Sequence, residues 1–323
     1  MPSLRLFLPK HIAFMAYRKH FSYTSVGMVV FAIILILFRG LNFGVDFRGG
    51  VAIEAQSNGV IPIADLRKAL SEAELGDIVI QEFGSPDTVL IRTELVKNNK
   101  NNDAIGDVPA AQVVEKITLA LRDFDSRIVI QRTATVGPKV SQELLFKGIL
   151  AMIASLSAIA VYIWFRFEWQ FALAALLTLF HDIVLTIGIF SLFQMEFTLT
   201  IVAAILTLTG YSLNDTIVIF DRIREYVRLY RKKELDIIID ESINATLSRT
   251  LQTAITTLLA LFALYLFGGT ALQGFSFALI WGVVIGTYSS VYVAGALLAM
   301  LPNPREGLLL DTKKDVNTNK TVI

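Results

Sequence analysis

Asp215 and Arg249 lie inside stretches that are otherwise apolar enough to cross a bilayer. The sequence around the aspartate reads Thr207-Leu208-Thr209-Gly210-Tyr211-Ser212-Leu213-Asn214-Asp215. Thr207, Tyr211 and Asn214 stand at i, i+4 and i+7, one face of a helix, with Asp215 beside them. Arg249, Gln252, Thr253 and Thr256 form a similar polar face at i, i+3, i+4 and i+7. A charge near the middle of a membrane helix costs about 2.5–3.5 kcal/mol on insertion scales, and such residues face a bundle interior. At 1.5 Å per residue, Asp215 sits about 8 Å inside its span and Arg249 about 9 Å inside the next, antiparallel one. A contact between them is therefore open. Two chemistries fit. A carboxyl held between desolvation and a cation can load and release a proton. A static buried ion pair joining two helices needs the same residues. His181-Asp182, deeper in the preceding span, poses the same choice between a proton carrier and a satisfied polar pair.

These groups need elements to hold them, and the composition says which. The 323-residue chain is 54% hydrophobic and 18% charged. With its glycines the apolar share is about 60%, above the usual 45–50%. Its 34 aromatic residues (22 Phe, 9 Tyr, 3 Trp) argue against disorder. A net charge of +1 gives no basic field for nucleic acid. The absence of cysteine excludes disulfides, thiolate metal sites and cysteine nucleophiles, and three histidines leave little for a metal cluster. No metal and no cofactor is expected, and no nucleophile–base pair suggests an enzyme.

Six spans approach the bilayer-crossing length of about 20 residues: 21–38, 148–165, 169–193, 197–220, 243–267 and 272–301. Backbone groups in lipid must be satisfied within the segment, so these are helices. The first is read as an uncleaved anchor, because Arg39-Gly40-Leu41 is no small-x-small cleavage site. Lys and Arg cluster in the 1–20 segment, at Arg166, in the 221–242 loop and in the 302–323 tail. The loops 194–196 and 268–271 carry none. That alternation places both termini in the cytoplasm. Residues 39–147 then lie on the far side, and long loops cross largely regardless of charge.

This far-side segment has soluble composition, with 13 basic against 15 acidic residues. Its patterns predict a strand at 51–55, a helix at 63–75, strands at 77–83 and 88–95 joined by a turn at 84–87, a polar loop at 97–103, a helix at 110–124 and a strand at 128–135. The order βαββαβ is the ferredoxin-like unit. Gly49-Gly50 and Gly137-Pro138 flank it as candidate hinges. Gly282 and Gly286 in the sixth span form a small-xxx-small pair, which suits close helix packing.

The sequence Gly210-Tyr211-Ser212-Leu213-Asn214-Asp215-Thr216-Ile217-Val218, followed by Asp221-Arg222-Ile223-Arg224-Glu225, resembles the fourth-helix signature of the SecF family of protein-export membrane proteins. Asp46-Phe47-Arg48-Gly49-Gly50, Val136-Gly137-Pro138, Phe165–Trp169, His181-Asp182, Arg249-Thr250 and Tyr265–Gly269 are similar to further motifs of that family. One departure is Ser141, where the family usually has glycine. The resemblance spans about residues 20–301. It implies a polytopic α-helical membrane protein with six transmembrane helices and one periplasmic α+β ferredoxin-like domain, in the bacterial inner membrane and within the resistance-nodulation-division superfamily. It further implies SecD as partner, association with the SecYEG channel and YajC, and proton-driven movement of preproteins after SecA has started them. The family's proton pathway maps onto Asp215 and Arg249. Asn214 beside the aspartate joins that set, and Asp182 is a further candidate. The coupling ion would be the proton, with no cofactor. Two rivals stay open: a half-size proton-coupled exporter of small molecules, and a passive scaffold of a translocation channel.

Overall fold

The computed structural model describes residues 12–71, 78–93 and 110–302. In chain order the elements are α1 (Arg18–Arg39), β1 (Asn42–Phe43), α2 (Val45–Arg48), β2 (Gly50–Gln56), α3 (Ile63–Ser71), β3 (Ile78–Phe83), β4 (Ser85–Thr93), α4 (Ala110–Phe124), β5 (Val129–Val136), α5 (Pro138–Arg166), α6 (Trp169–Phe193), β6 (Glu196–Phe197), α7 (Leu199–Leu229), α8 (Leu235–Phe267), α9 (Thr270–Tyr288) and, after a π turn over Ser289–Ala294, α10 (Gly295–Met300). The chain divides into two compact units. One holds residues 42–151 with 196–199, and the other holds the rest.

In the first unit, β2, β3, β4 and β5 form an antiparallel sheet in the order β3-β4-β2-β5, with α3 and α4 as the crossing helices. Val51, Ile53 and Ala55 alternate along β2 and meet Val89 and Ile91 of β4 on the helix-facing side. Leu66 and Leu70 of α3 and Val113, Ile117 and Leu121 of α4 close that core at helical spacing. Val45 covers part of the opposite face, against Ala52 and Leu90. The hairpin is tighter than the sequence suggests. The turn expected over 84–87 reduces to Gly84 at φ 78°, and Ser85–Asp87 already belong to β4. The predicted 97–103 loop and the last turn of the 63–75 helix lie outside the described residues.

The second unit is helical. Among the described residues, six helical segments are long and apolar enough to cross a membrane: α1 with the 3-10 turn before it, α5, α6, α7, α8, and α9 continuing into α10. α6, α7 and α9–α10 are largely buried, while α1, α5 and α8 turn most of their apolar surface outward. Several helices outrun the spans expected for them. α5 starts at Pro138 rather than 148. Its first turns carry an exposed Lys147–Glu143 pair at i, i+4 (2.7 Å) that a hydropathy window rejects. The loop expected at 221–242 shrinks to residues 230–234. α7 runs on to Leu229 and α8 begins at Leu235, because Ile223, Val227, Ile238 and Ile239 continue the apolar stripes into the core.

The chain before α1 is fixed to the start of α8. Met15 N–H donates to Asp240 Oδ1 (2.8 Å), Ile12 and Asn244 exchange two bonds, and Arg18 pairs with Asp236 at 2.5 Å. Arg166 and Arg224 both lie over the Phe167 ring, and they pair with Asp221 (2.9 Å) and Glu168 (3.3 Å). The α5–α6 turn is thereby pinned to α7.

Gly282 and Gly286 lie where α9 meets α7. A Cβ at Gly282 would overlap the Leu208 methyls, and one at Gly286 would press on Ser212 Cβ. Gly282→Val is therefore expected to destabilise the fold by about 1–3 kcal/mol through overpacking. Thermal unfolding of the purified protein in detergent checks this, and an unshifted midpoint would remove the close approach as a constraint.

Candidate functional site

Among the described residues the helical unit buries three carboxylates: Asp240, which holds the chain before α1, and Asp182 and Asp215, whose surroundings differ. Asp182 of α6 is fully buried. Its Oδ2 accepts from Ser212 Oγ of α7 (2.5 Å) and from Ser289 Oγ at the start of the π turn (2.8 Å), and its Oδ1 lies 2.9 Å from His181 Nδ1. Ser290, next in the π turn, meets Thr216 Oγ1 at 2.9 Å and reaches the Ser212 carbonyl at 3.4 Å. A π turn adds a residue to the helical repeat and is frequent at functional sites. Here it lets both Ser289 and Ser290 face the interior, where each is wholly buried. The result is a hydroxyl-lined joint of three helical segments centred on Asp182.

Asp215 lies one turn along α7 from Ser212, and Asp215 and Ser212 are both buried. Its Oδ2 is buried and has no hydrogen-bond partner. Such an oxygen costs about 1–3 kcal/mol, which a donor brought to it would relieve.

The contact with Arg249 that the spacing left open is not made. Among the described residues the two form no salt bridge, and Arg249 acts on the carboxylate through space. Asp215 turns inward on α7, whereas Arg249 is exposed on α8 together with Gln252 and Thr256. Asn214 and Thr207 are also exposed, so the polar face expected on the fourth span looks outward and Asp215 stands off it. The structure thus groups Asp182 with Ser212, Ser289, Ser290 and Thr216, and keeps Asp215, Asn214 and Arg249 apart from that group. Sequence reasoning passed over the four hydroxyl residues. The adjacent serines of Ser289-Ser290, one turn after Gly286 in an apolar span, were the available signal.

The two hinge candidates meet. Gly50 opens β2 and pairs with Val136 at the end of β5, and Gly137 alone separates β5 from α5, whose first residue is Pro138. Gly49 and Gly50 take φ of 76° and 120°, values that favour glycine. A Cβ at Gly49 would lie 3.0 Å from Ser141 Oγ and 3.3 Å from Pro138 Cα. Ser141 is buried and donates to the Pro138 carbonyl at 3.0 Å, so its side chain fills this joint.

A family model described as the C-terminal part of the protein export membrane protein SecD/SecF matches residues 116–303, and one for the SecD/SecF GG motif matches 34–58. The chain is similar to the protein translocase subunit SecF of Cereibacter sphaeroides, at 45% identity over 289 residues, 90% of this chain and 89% of that one. It is also similar to the protein translocase subunit SecDF of Brucella abortus, at 42% identity over 92% of this chain and 38% of that one. Among solved structures, the crystal structure of SecDF from Thermus thermophilus matches with a TM-score of 0.79 and 32% identity, over 90% of this chain and 38% of that chain.

Proposed function

Since this chain belongs to the SecD/SecF family of protein-export membrane proteins, we propose that it couples the proton motive force to preprotein movement, with Asp215 as the group that takes up and releases the proton. Its role in protein export as a multi-pass helical membrane protein follows from the family. The observation that supports proton coupling is the buried Asp215 Oδ2, which has no hydrogen-bond partner inside an apolar span, whereas the buried Asp182 is fully hydrogen-bonded. Protonation from the far side removes the charge on which Arg249 acts, and the bundle shifts. Asn214, next to Asp215, lies on the route. One charge crossing 100 mV is worth about 2.3 kcal/mol, enough to bias a two-state helix arrangement.

The partner reading is a SecD-like chain. In the Brucella and Thermus SecDF proteins the region similar to this chain is 38% of a longer one. The exposed polar residues Thr207, Asn214, Arg249 and Gln252 inside apolar spans need a cover that lipid does not give. The first unit, with βαββαβ chain order and the sheet order given above, is of ferredoxin-like topology and lies on the periplasmic side of the inner membrane. Both termini lie in the cytoplasm. SecYEG, YajC and the translocating chain are the further partners. The protein works as a proton-coupled transport subunit rather than an enzyme, without metal or cofactor.

Co-purification from native membranes tests the partner, with a SecD-like chain travelling along as the expected result. Export into inverted membrane vesicles, with and without a protonophore after initiation, tests the coupling. Unchanged export under the protonophore would refute it and favour the passive scaffold.

A further inference from the structure

The Asp46–Gly50 motif supplies the hinge candidates Gly49 and Gly50, yet its acidic residue makes the more telling contact. Asp46, in α2, places Oδ2 3.0 Å from the backbone N–H of Leu199, the first residue of α7. That N–H is one of the orphan donors at a helix start, where a carboxylate also meets the positive end of the helix dipole. Three further sets of contacts converge on β6, just before that helix start. β1 pairs in parallel with β6, Asn42 with Glu196 and Phe43 with Phe197, and Gly44 N–H donates to the Phe197 carbonyl at 3.0 Å. The rings of Phe43, Phe47 and Phe197 lie 5.8–6.2 Å apart. Arg92 of β4 reaches Glu196 at 3.6 Å and also donates to Gln81 and Asn42.

The approach is close enough to need Gly44. Its backbone is extended, so any residue could adopt it, but a Cβ there would lie 2.6 Å from Glu196 Oε1. Burial pushes the Glu196 carboxyl above its usual range and the Arg92 guanidinium below its own, in each case ahead of their mutual attraction. Such a pair fixes position more than it adds stability.

α7 runs unbroken from this point to Leu229, and Asp215 lies 16 residues in, about 24 Å along the axis at 1.5 Å per residue. The structure assigns to Asp46 the role of a positioning residue: with Glu196 and Arg92 it clamps Leu199, the first residue of α7 and itself part of the α+β unit, so that a shift of the Asp215 helix reaches that unit through the unbroken helix. This rests on the proton-driven reading above for its consequence, while the clamp itself can be tested without it.

The chain has no cysteine, so a Phe43→Cys/Phe197→Cys pair is the only disulfide this chain can form. In the complex with its partner in inverted vesicles, the disulfide is expected to form readily, and Asp46→Ala should lower its yield several-fold. Asp46→Ala should also cut protonophore-sensitive export about tenfold with the initiation stage unchanged. Asp46→Asn should retain most of it, because the amide oxygen accepts the same N–H. Oxidation of the cysteine pair in the Asp46→Ala chain should restore export, and reductant should remove it again. A yield indifferent to Asp46→Ala, or a locked Asp46→Ala chain still defective, overturns the clamp. If the double-cysteine chain does not accumulate, amide exchange at residues 199–202 replaces it: faster exchange in Asp46→Ala supports the clamp, and unchanged exchange overturns it. Export by the unaltered chain that ignores the protonophore, with the crosslink still dependent on Asp46, would sink the proton reading and leave the clamp.

Discussion

Asp215→Asn is expected to abolish the proton-dependent stage of export while leaving folding intact. The loss follows from the charge. A proton moving through 100 mV supplies about 2.3 kcal/mol, a factor of about 50 in an equilibrium at 1.4 kcal/mol per tenfold. An amide at this position cannot collect that energy. The intact fold follows from the geometry. Oδ2 has no hydrogen-bond partner to lose, and a neutral amide removes a buried charge, so the variant should fold and unfold close to the parent. The measurement is export into vesicles with and without protonophore, beside thermal unfolding of the same preparation. Protonophore-sensitive export that persists in Asp215→Asn would make Asp215 a structural residue and end the mechanism proposed here.

At Asp182 the expectation inverts. Asp182→Ala removes the acceptor of Ser212, Ser289 and His181 together. Ser289 can turn to the Gly286 carbonyl at 3.1 Å, but the Ser212 and His181 donors are left orphaned in the interior, each at a cost of about 1–3 kcal/mol. The variant should therefore accumulate poorly in membranes and unfold far below the parent. Asp182→Asn keeps an oxygen for the serine hydroxyls and should fall well short of that loss. Quantifying membrane accumulation and melting in detergent ranks the two. Equal, mild effects would mean that the hydroxyl joint does not hold α6, α7 and the π turn together. A stable Asp182→Asn chain that lost proton-dependent export would instead give Asp182 the direct proton role that its place in an apolar span first raised.

The contrast between these carboxylates marks where sequence reading stopped. Both stood out as charges in apolar spans, and both are buried. What separates them is the set of partners. Ser212 is on the same helix as Asp215, but Ser289 is 107 residues from Asp182, and its hydroxyl arrives only because the π turn rotates two successive serines inward. No periodicity predicts a π turn. The missing Asp215–Arg249 contact has a similar origin. Equal depth on successive helices was readable, but the rotation of each helix about its own axis was not, and rotation decided that Arg249 faces out.

By itself the sequence determined the six apolar spans, the βαββαβ order and the residues whose charge is costly in lipid, because hydrophobic period and desolvation are local properties of a segment. Only the tertiary structure decided which polar groups meet. It joined Asp182 to Ser289, brought Gly50 against Val136, and set Asp46 on the first turn of α7. Each of those contacts depends on how distant segments rotate and register against one another, a choice made by packing that no single segment encodes.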